Sequence, residues 1–220
     1  MQVLKRDSLK LGGFAGLTEH RMVTDSRAFG GRKAPGTWEG IGNFIYLADA
    51  RFQPFGETGM HGHREIDVIS VVLEGRIEHG GSMGQGQYLH AGDVQVQRAG
   101  DIGFSHNEVN PDSSENRMLQ LWVLPEKPNQ PEDYEVITPK AGVVTPIYGG
   151  ANSALPTETT IVVHRPQAGE KVQIDKDSLL YICDGLVTDG ESGFVDGDLI
   201  RTDQLTLTAK EPSFVIVVSA

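Results

Sequence analysis

Two pairs of residues, each spaced i and i+2, have the side chains that could do chemistry in this sequence. His61 and His63 lie in GMHGHREID, directly before the apolar run VISVVLEG, and His106 and Glu108 lie in GDIGFSHNEVN. Alternate residues of a strand project from the same face, so each pair would point to one side of its strand. Imidazole nitrogens and carboxylate oxygens bind Fe, Mn, Co, Ni, Cu or Zn. Two adjacent strands could therefore aim all four side chains at one transition-metal ion.

A plainer interpretation competes with the metal site, because histidines exposed at a strand end would explain a single His-x-His pair. The second pair favours the metal. It repeats the same spacing with ligand-type residues, in a segment that Gly100 and Gly103 make flexible.

Other polar residues near these pairs have two possible roles each, in the site or at the surface. Asp67 shares the face of His63 if the strand has no bulge, and it would either accept a hydrogen bond from a ligand imidazole or face solvent. Gln95 and Gln97 alternate with valines, so one strand face is polar and either lines a pocket or meets water. His79 and His90 flank a glycine-rich hairpin and are expected at the surface.

The elements that must position these residues are predicted to be strands. Short β-branched segments recur along the chain between turn residues, in a sequence with 27 Gly and 11 Pro. We find no convincing helical periodicity, and Asp133–Ile137, the best candidate, is predicted to be a turn at most. The pattern predicts an all-β protein built as a sandwich or small barrel.

A proline-rich and acidic stretch, PEKPNQPEDYE from Pro125 to Glu135, interrupts the strand pattern. It predicts two domains, residues 1–130 and 131–220. A faint internal repeat supports duplicated β modules, because VVLEGRIEHGG in the first half has a counterpart in YICDGLVTDGE in the second. Only His164 lies after the boundary, so histidine chemistry is expected in the first domain.

Composition excludes several classes of function. The net charge is −11 with a pI near 5.0, and no basic patch is evident, so direct nucleic-acid binding is not expected. No apolar run is long enough for a membrane span, and no secretory signal is recognised, which predicts a cytoplasmic protein. Cys183, the single cysteine, lies in LLYICDG and is expected to fill the core.

The run from His61 through LEGRIEHGGSMGQGQYLHAGDVQVQRAGD to Glu108, followed by MLQLWVLPEKPNQPEDYE, resembles the pirin family of the cupin superfamily, and especially its bacterial quercetinase-like members. The resemblance implies two tandem cupin β-barrels, a bicupin. The N-terminal barrel would bind the metal, and the C-terminal barrel would have lost its ligands. It implies His61, His63, His106 and Glu108 as ligands. Gly62 departs from the proline usual between the first two histidines and loosens the backbone there.

The resemblance also implies a function. The first hypothesis is a dioxygenase of the quercetin 2,3-dioxygenase type, with one divalent metal (iron first, then Ni, Co, Mn, Cu or Zn), O2, and a flavonol or similar enolic substrate. Glu108 would be both ligand and catalytic base. The alternative is a non-catalytic regulator or redox sensor that binds a protein partner. A third hypothesis is a bicupin of stress or redox metabolism whose metal only stabilises the barrel.

Overall fold

The computed structural model describes residues 1–151, 153 and 156–220. It is 54% strand and 5% helical, which confirms the all-β prediction. In the described residues the only α-helix is the short α1 (Ser26–Phe29), and 3₁₀ turns cover Arg6–Ser8 and Gly30–Arg32. The strands of the described residues are β1 (Gln2–Lys5), β2 (Gly12–Phe14), β3 (Leu17–Thr24), β4 (Phe44–Phe52), β5 (His61–His63), β6 (Asp67–Glu74), β7 (Arg76–Gly81), β8 (Gly84–His90), β9 (Val94–Arg98), β10 (Phe104–Val109), β11 (Asn116–Val123), β12 (Asp133–Ile137), β13 (Val144–Tyr148), β14 (Thr160–His164), β15 (Lys171–Ile174), β16 (Ser178–Asp184), β17 (Leu186–Thr188), β18 (Gly193–Val195), β19 (Asp198–Thr202), β20 (Leu205–Ala209) and β21 (Phe214–Ser219).

The chain forms two compact units: an N-terminal unit, Leu9–Thr138, and a C-terminal unit, Pro139–Ala220 with Met1–Ser8. The N-terminal unit has a seven-stranded sheet in the order β12-β9-β6-β11-β4-β3-β2 and a four-stranded sheet in the order β5-β10-β7-β8. The C-terminal unit has a six-stranded sheet, β1-β19-β16-β21-β14-β13, and a four-stranded sheet, β15-β20-β17-β18. Neighbouring strands in all four sheets pair antiparallel, as expected where short turns join them.

Each unit buries apolar side chains between its own strands. One cluster of the N-terminal unit joins Phe52 and Met118 of the large sheet to Ile77 and Leu89 of the small one. Burying each such side chain contributes about 1.5–3 kcal/mol. The C-terminal unit has its own cluster, which includes Val172, Leu180, Ile182, Val187, Phe194, Ile200, Leu207, Val215 and Val217. Cys183 is buried, as expected of a core residue.

The predicted repeat corresponds to matching turns in the two units. Gly75 links β6 to β7 with a φ of 72°, and Gly185 links β16 to β17 with a φ of 86°. L side chains rarely adopt these angles, and a Cβ would also lie 2.9 Å from the Asn116 Cβ at the first position and 2.4 Å from the Ser213 Oγ at the second. Glycine is therefore needed at the same point of both modules.

The predicted domain boundary at residue 130 stays a prediction. Two segments, however, pair with strands of the unit on the other side of that boundary. Asp133–Ile137, expected to be at most a turn in the second domain, is strand β12 and pairs with β9 of the N-terminal unit. This segment adopts an extended conformation because it pairs with the free edge of β9. The local sequence does not reveal that edge. Gln2–Lys5, assigned to the first domain, pairs with β19 of the C-terminal unit. Among the described residues, no helix combines the length and apolar composition of a membrane span.

Candidate metal centre

The predicted histidines lie on two neighbouring strands of the small N-terminal sheet. β5 pairs antiparallel with β10, so that His61 is directly opposite His106 and His63 is opposite Phe104. Directly opposed side chains in such a pair lie close together. Gly81 of β7 flanks His106 on the other side, where a Cβ would lie 2.8 Å from the His106 Cα. The register of three strands thus fixes where the His106 ring lies.

The structure brings His61, His63 and His106 together, with one ring nitrogen from each within 4.8 Å of the other two. The Nε2 atoms of His61 and His106 are 3.0 Å apart, and the His63 ring centroid is 5.0 Å from that of His61 and 5.1 Å from that of His106. The Nδ1 of His61 lies 2.9 Å from the carbonyl oxygen of Gly59. A carbonyl oxygen can only accept, so Nδ1 carries the hydrogen and Nε2 presents its lone pair to the cluster.

The electrostatics of the site favour the neutral form of His63 and His106. Burial, followed by repulsion from His61 and other histidines, lowers the pKa of His106 to about 2. Burial and His61 also lower the pKa of His63 to about 4. Neutral imidazole is the form that binds a metal. The Nδ1 of His106 is buried without a hydrogen-bond partner in the described structure. The three rings therefore fit a divalent metal ion, although their role as ligands stays a prediction.

Glu108 follows His106 by two residues on β10 and is buried, but its carboxylate is not part of the histidine group. Ser70 Oγ donates to Glu108 Oε1 at 2.8 Å, and within the described residues Oε2 has no hydrogen-bond partner. Burial raises the pKa of Glu108 to about 7, against the opposing effect of the Ser70 hydrogen bond. The predicted ligand role of Glu108 stays a prediction. Its carboxylate is positioned by Ser70 in this structure.

Asp67, Gln95 and Gln97 are all buried in the N-terminal unit. Asp67 does not face solvent, and it accepts from the Nη1 of Arg98 at 3.2 Å in a buried ion pair. Gln95 and Gln97 are fully buried, so the polar face of β9 does not meet water. Gln95 Nε2 donates to Gln97 Oε1 at 2.6 Å. These amides form a hydrogen-bonded chain inside the unit.

The expectation for His79 is wrong: it is fully buried rather than at the surface, whereas His90 is exposed. His79 Nε2 lies 3.2 Å from Gln97 Nε2, and its ring centroid is 5.6 Å from that of His106. It is buried because Ile77, His79 and Gly81 share the inward face of β7. The alternation with Ile77 was the sequence signal that could have identified it.

We expect His79→Ala to lower the free energy of unfolding by about 2–4 kcal/mol, because it creates a cavity and removes a partner of Gln97. His90→Ala is the matched control and should change the free energy of unfolding by less than about 0.5 kcal/mol, since His90 is exposed. Urea denaturation of both variants checks this. Equal midpoints would show that the buried position of His79 contributes nothing.

A cavity of about 350 Å³ adjoins the histidines within the N-terminal unit. Its aromatic wall is Phe29, Tyr46 and Trp122, in which the Tyr46 and Trp122 rings are 4.4 Å apart and the Trp122 ring is 5.6 Å from that of His63. The cavity is lined by Phe14, Leu17, Glu19, Arg21, Phe29, Tyr46, Ala50, Phe52, Thr58, His61, Gly62, His63, Ile66, Glu108, Met118, Gln120 and Trp122. Its size and mostly apolar lining suit a small flat ligand. Sequence reasoning did not identify the aromatic wall, because it combines residues from three separate segments.

Comparisons with known proteins agree with this architecture. Residues 32–123 match the Pirin family model. The quercetin 2,3-dioxygenase of Escherichia coli K12 is 38% identical over 78 residues, which are 35% of this chain and 33% of that protein. A Mycobacterium bovis relative is 28% identical over 186 residues, 77% of this chain and 76% of its own length. Alignments with relatives such as the E. coli enzyme thus span about a third of those proteins.

A solved structure of similar fold is that of the bacterial pirin YhhW from Escherichia coli in complex with nickel(II). It has a TM-score of 0.83 and 19% identity, and the match covers 99% of this chain and 97% of that chain. The predicted bicupin architecture is thereby confirmed. The family match contains the segment with the three histidines, and the fold match to a bacterial pirin extends over nearly the whole chain, so both agree with the pirin resemblance of the sequence.

Proposed function

We propose that this protein is a metal-dependent dioxygenase of the quercetin 2,3-dioxygenase type, which acts on a flavonol or a similar enolic small molecule. The observation that carries the proposal is the convergence of His61, His63 and His106 beside a cavity with an aromatic wall. The similarity to the quercetin 2,3-dioxygenase of E. coli over 78 residues supports the same activity. The substrate and O2 would then be its small-molecule partners.

The three histidines would hold one divalent transition metal, iron first, with Glu108 as a further ligand. The nickel(II) complex of YhhW supports a transition metal without deciding its identity here. When bound, the ion would supply Lewis acidity that lowers the pKa of a coordinated hydroxyl group. The lowered pKa values of His63 and His106 suit such an ion, because a neutral imidazole need not lose a proton to bind it.

Glu108 would take the proton of the substrate hydroxyl at Oε2 once that oxygen no longer binds the ion, while Ser70 holds Oε1. The geometry favours this role, since the carboxylate is buried, lines the cavity and has one oxygen without a partner among the described residues. Phe29, Tyr46 and Trp122 would orient a flat ring system and exclude bulk water. Both atoms of O2 would enter the products, with carbon monoxide released from the substrate ring.

Aerobic turnover of quercetin by protein loaded with Fe(II), and separately with Ni(II), Co(II) or Mn(II), tests the proposal. We expect O2 uptake and carbon monoxide release in equal amounts, and neither in the metal-free protein. His90→Ala, an exposed substitution, is the matched control and should keep the full rate. If the protein binds metal stoichiometrically but turns over no flavonol, the proposal is wrong and the non-catalytic regulator becomes the better hypothesis.

A further inference from the structure

A second polar group lies on the wall of the same cavity and has no part in the predicted metal site. Glu19 and Arg21 of β3 and Tyr46 of β4 line the cavity together with the histidines. Glu19 is only 4% exposed, although a carboxylate is costly to bury without partners. Arg21 Nε donates to Glu19 Oε1 at 2.7 Å, and Tyr46 Oη donates to Glu19 Oε2 at 2.9 Å.

This arrangement leaves the outer part of the Arg21 guanidinium available. Both Glu19 oxygens are occupied, and the Glu19 contact uses only the Nε of Arg21. The Tyr46 hydroxyl also interacts with the Arg21 side chain, and the Nη1 and Nη2 groups are the donors that the contact with Glu19 does not use. Its side chain is 40% exposed, so these donors remain accessible. The two Nη groups form a planar fork that matches the two oxygens of a carboxylate.

The neighbouring side chains keep this fork in position. Burial, and then the charge of Glu19, raise the pKa of Tyr46, so that its hydroxyl stays protonated and donates to Glu19. The Tyr46 ring also stacks with Phe29 at 5.5 Å and contacts Trp122 at 4.4 Å. The same tyrosine therefore contributes to the aromatic wall and orients the carboxylate that holds Arg21.

We propose that Arg21 is a specificity-determining residue that binds an anionic substituent, a carboxylate, on the flat enolic ligand. This inference rests on the proposed function for the site, and it narrows the substrate class from neutral flavonols to aromatic enols that carry a carboxylate. The chelating oxygens of the ligand face the histidines, its rings lie along the aromatic wall, and its carboxylate accepts from the two Nη groups. With a net charge of −11, the protein repels anions in general, so a specific cation is needed for such a ligand to bind.

The test compares the binding of matched ligands by calorimetry under nitrogen, where no O2 is present for turnover. The neutral ligand is 3-hydroxyflavone, and the anionic ligands are its two monocarboxylates, substituted on one or the other terminal ring. We expect metal-loaded wild type to bind at least one carboxylate about 10-fold or more tightly than the neutral parent, since charge-assisted hydrogen bonds are stronger than neutral ones. Arg21→Gln should abolish this preference and change the affinity for the neutral parent by less than about 2-fold.

Two further variants separate recognition from general effects of charge or folding. Arg21→Lys keeps the charge without the planar fork and should retain only part of the preference. Arg201→Gln removes an equally exposed, ion-paired arginine that does not line the cavity, and it should retain the full preference. A neutral parent that binds as tightly as both carboxylates, a preference that persists in Arg21→Gln, or no binding of any of the three ligands would each overturn the proposal. Quercetin turnover reports separately on the proposed function, because it does not depend on the ratio of these affinities.

Discussion

His106→Ala should leave the protein with less than about 0.1 metal ion per chain, compared with about one in the wild type, because a site with a missing ligand also organises the remaining ones poorly. His106 is the one buried member of this group of three histidines. It is 1% exposed, its Nε2 lies 3.0 Å from that of His61, and its ring centroid lies 5.1 Å from that of His63. His61→Ala should have a similar effect. Elemental analysis of untagged protein after dialysis measures both.

The controls must separate loss of the site from loss of the fold. His106→Gln fills more of the buried space than alanine and should bind almost as little metal, whereas exposed His90→Ala should bind the full amount. Thermal melts of the metal-free proteins then show whether each variant is folded. Stoichiometric metal in the double variant His61→Ala/His106→Ala would falsify the assignment. The C-terminal unit contains one histidine, His164, so we expect about one ion per chain rather than two.

The part of the site that could be predicted from sequence follows from the period of two along a strand. His61 and His63 share a face because they are i and i+2, and the same spacing places Glu108 on the face of His106. Both pairs are short-range features, so no knowledge of the sheet was needed to expect them to point together. That the two strands are neighbours was an assumption, and the β5–β10 pairing shows that they are.

The features that sequence reasoning missed depend on contacts between distant segments. His79 lies on the buried face of β7 and is directly opposite Glu108 across the β7–β10 pair. The ion pair of Asp67 with Arg98 joins β6 to β9, and β12 forms only because β9 has an edge to extend. The alternation with Ile77 could have identified the burial of His79, but the Asp67–Arg98 ion pair and strand β12 both require the strand order of the sheet. Local patterns of hydrophobicity do not contain that order.

Glu108→Gln should lower the rate of flavonol turnover by about 10²–10⁴-fold when the metal site is saturated, if Glu108 is the base. Glutamine keeps the shape of the side chain. It also keeps an oxygen that can accept the hydrogen bond that Ser70 Oγ donates to Glu108 Oε1 at 2.8 Å. It cannot accept a proton near neutral pH. A purely structural role in metal binding would instead lower metal affinity and leave the rate per bound ion nearly unchanged. Oxygen uptake, normalised to metal content, distinguishes the two roles.

Ser70→Ala is the matched control for this test, because it removes the hydrogen bond to Glu108 Oε1 but leaves the carboxylate in place. Its rate should fall much less than that of Glu108→Gln, since the group that takes the proton is still present and only its orientation is relaxed. Equal rates per bound ion for wild type and Glu108→Gln would remove Glu108 as the base. The metal would then have to activate the substrate hydroxyl without a protein carboxylate. Glu108 would in that case serve only in metal binding.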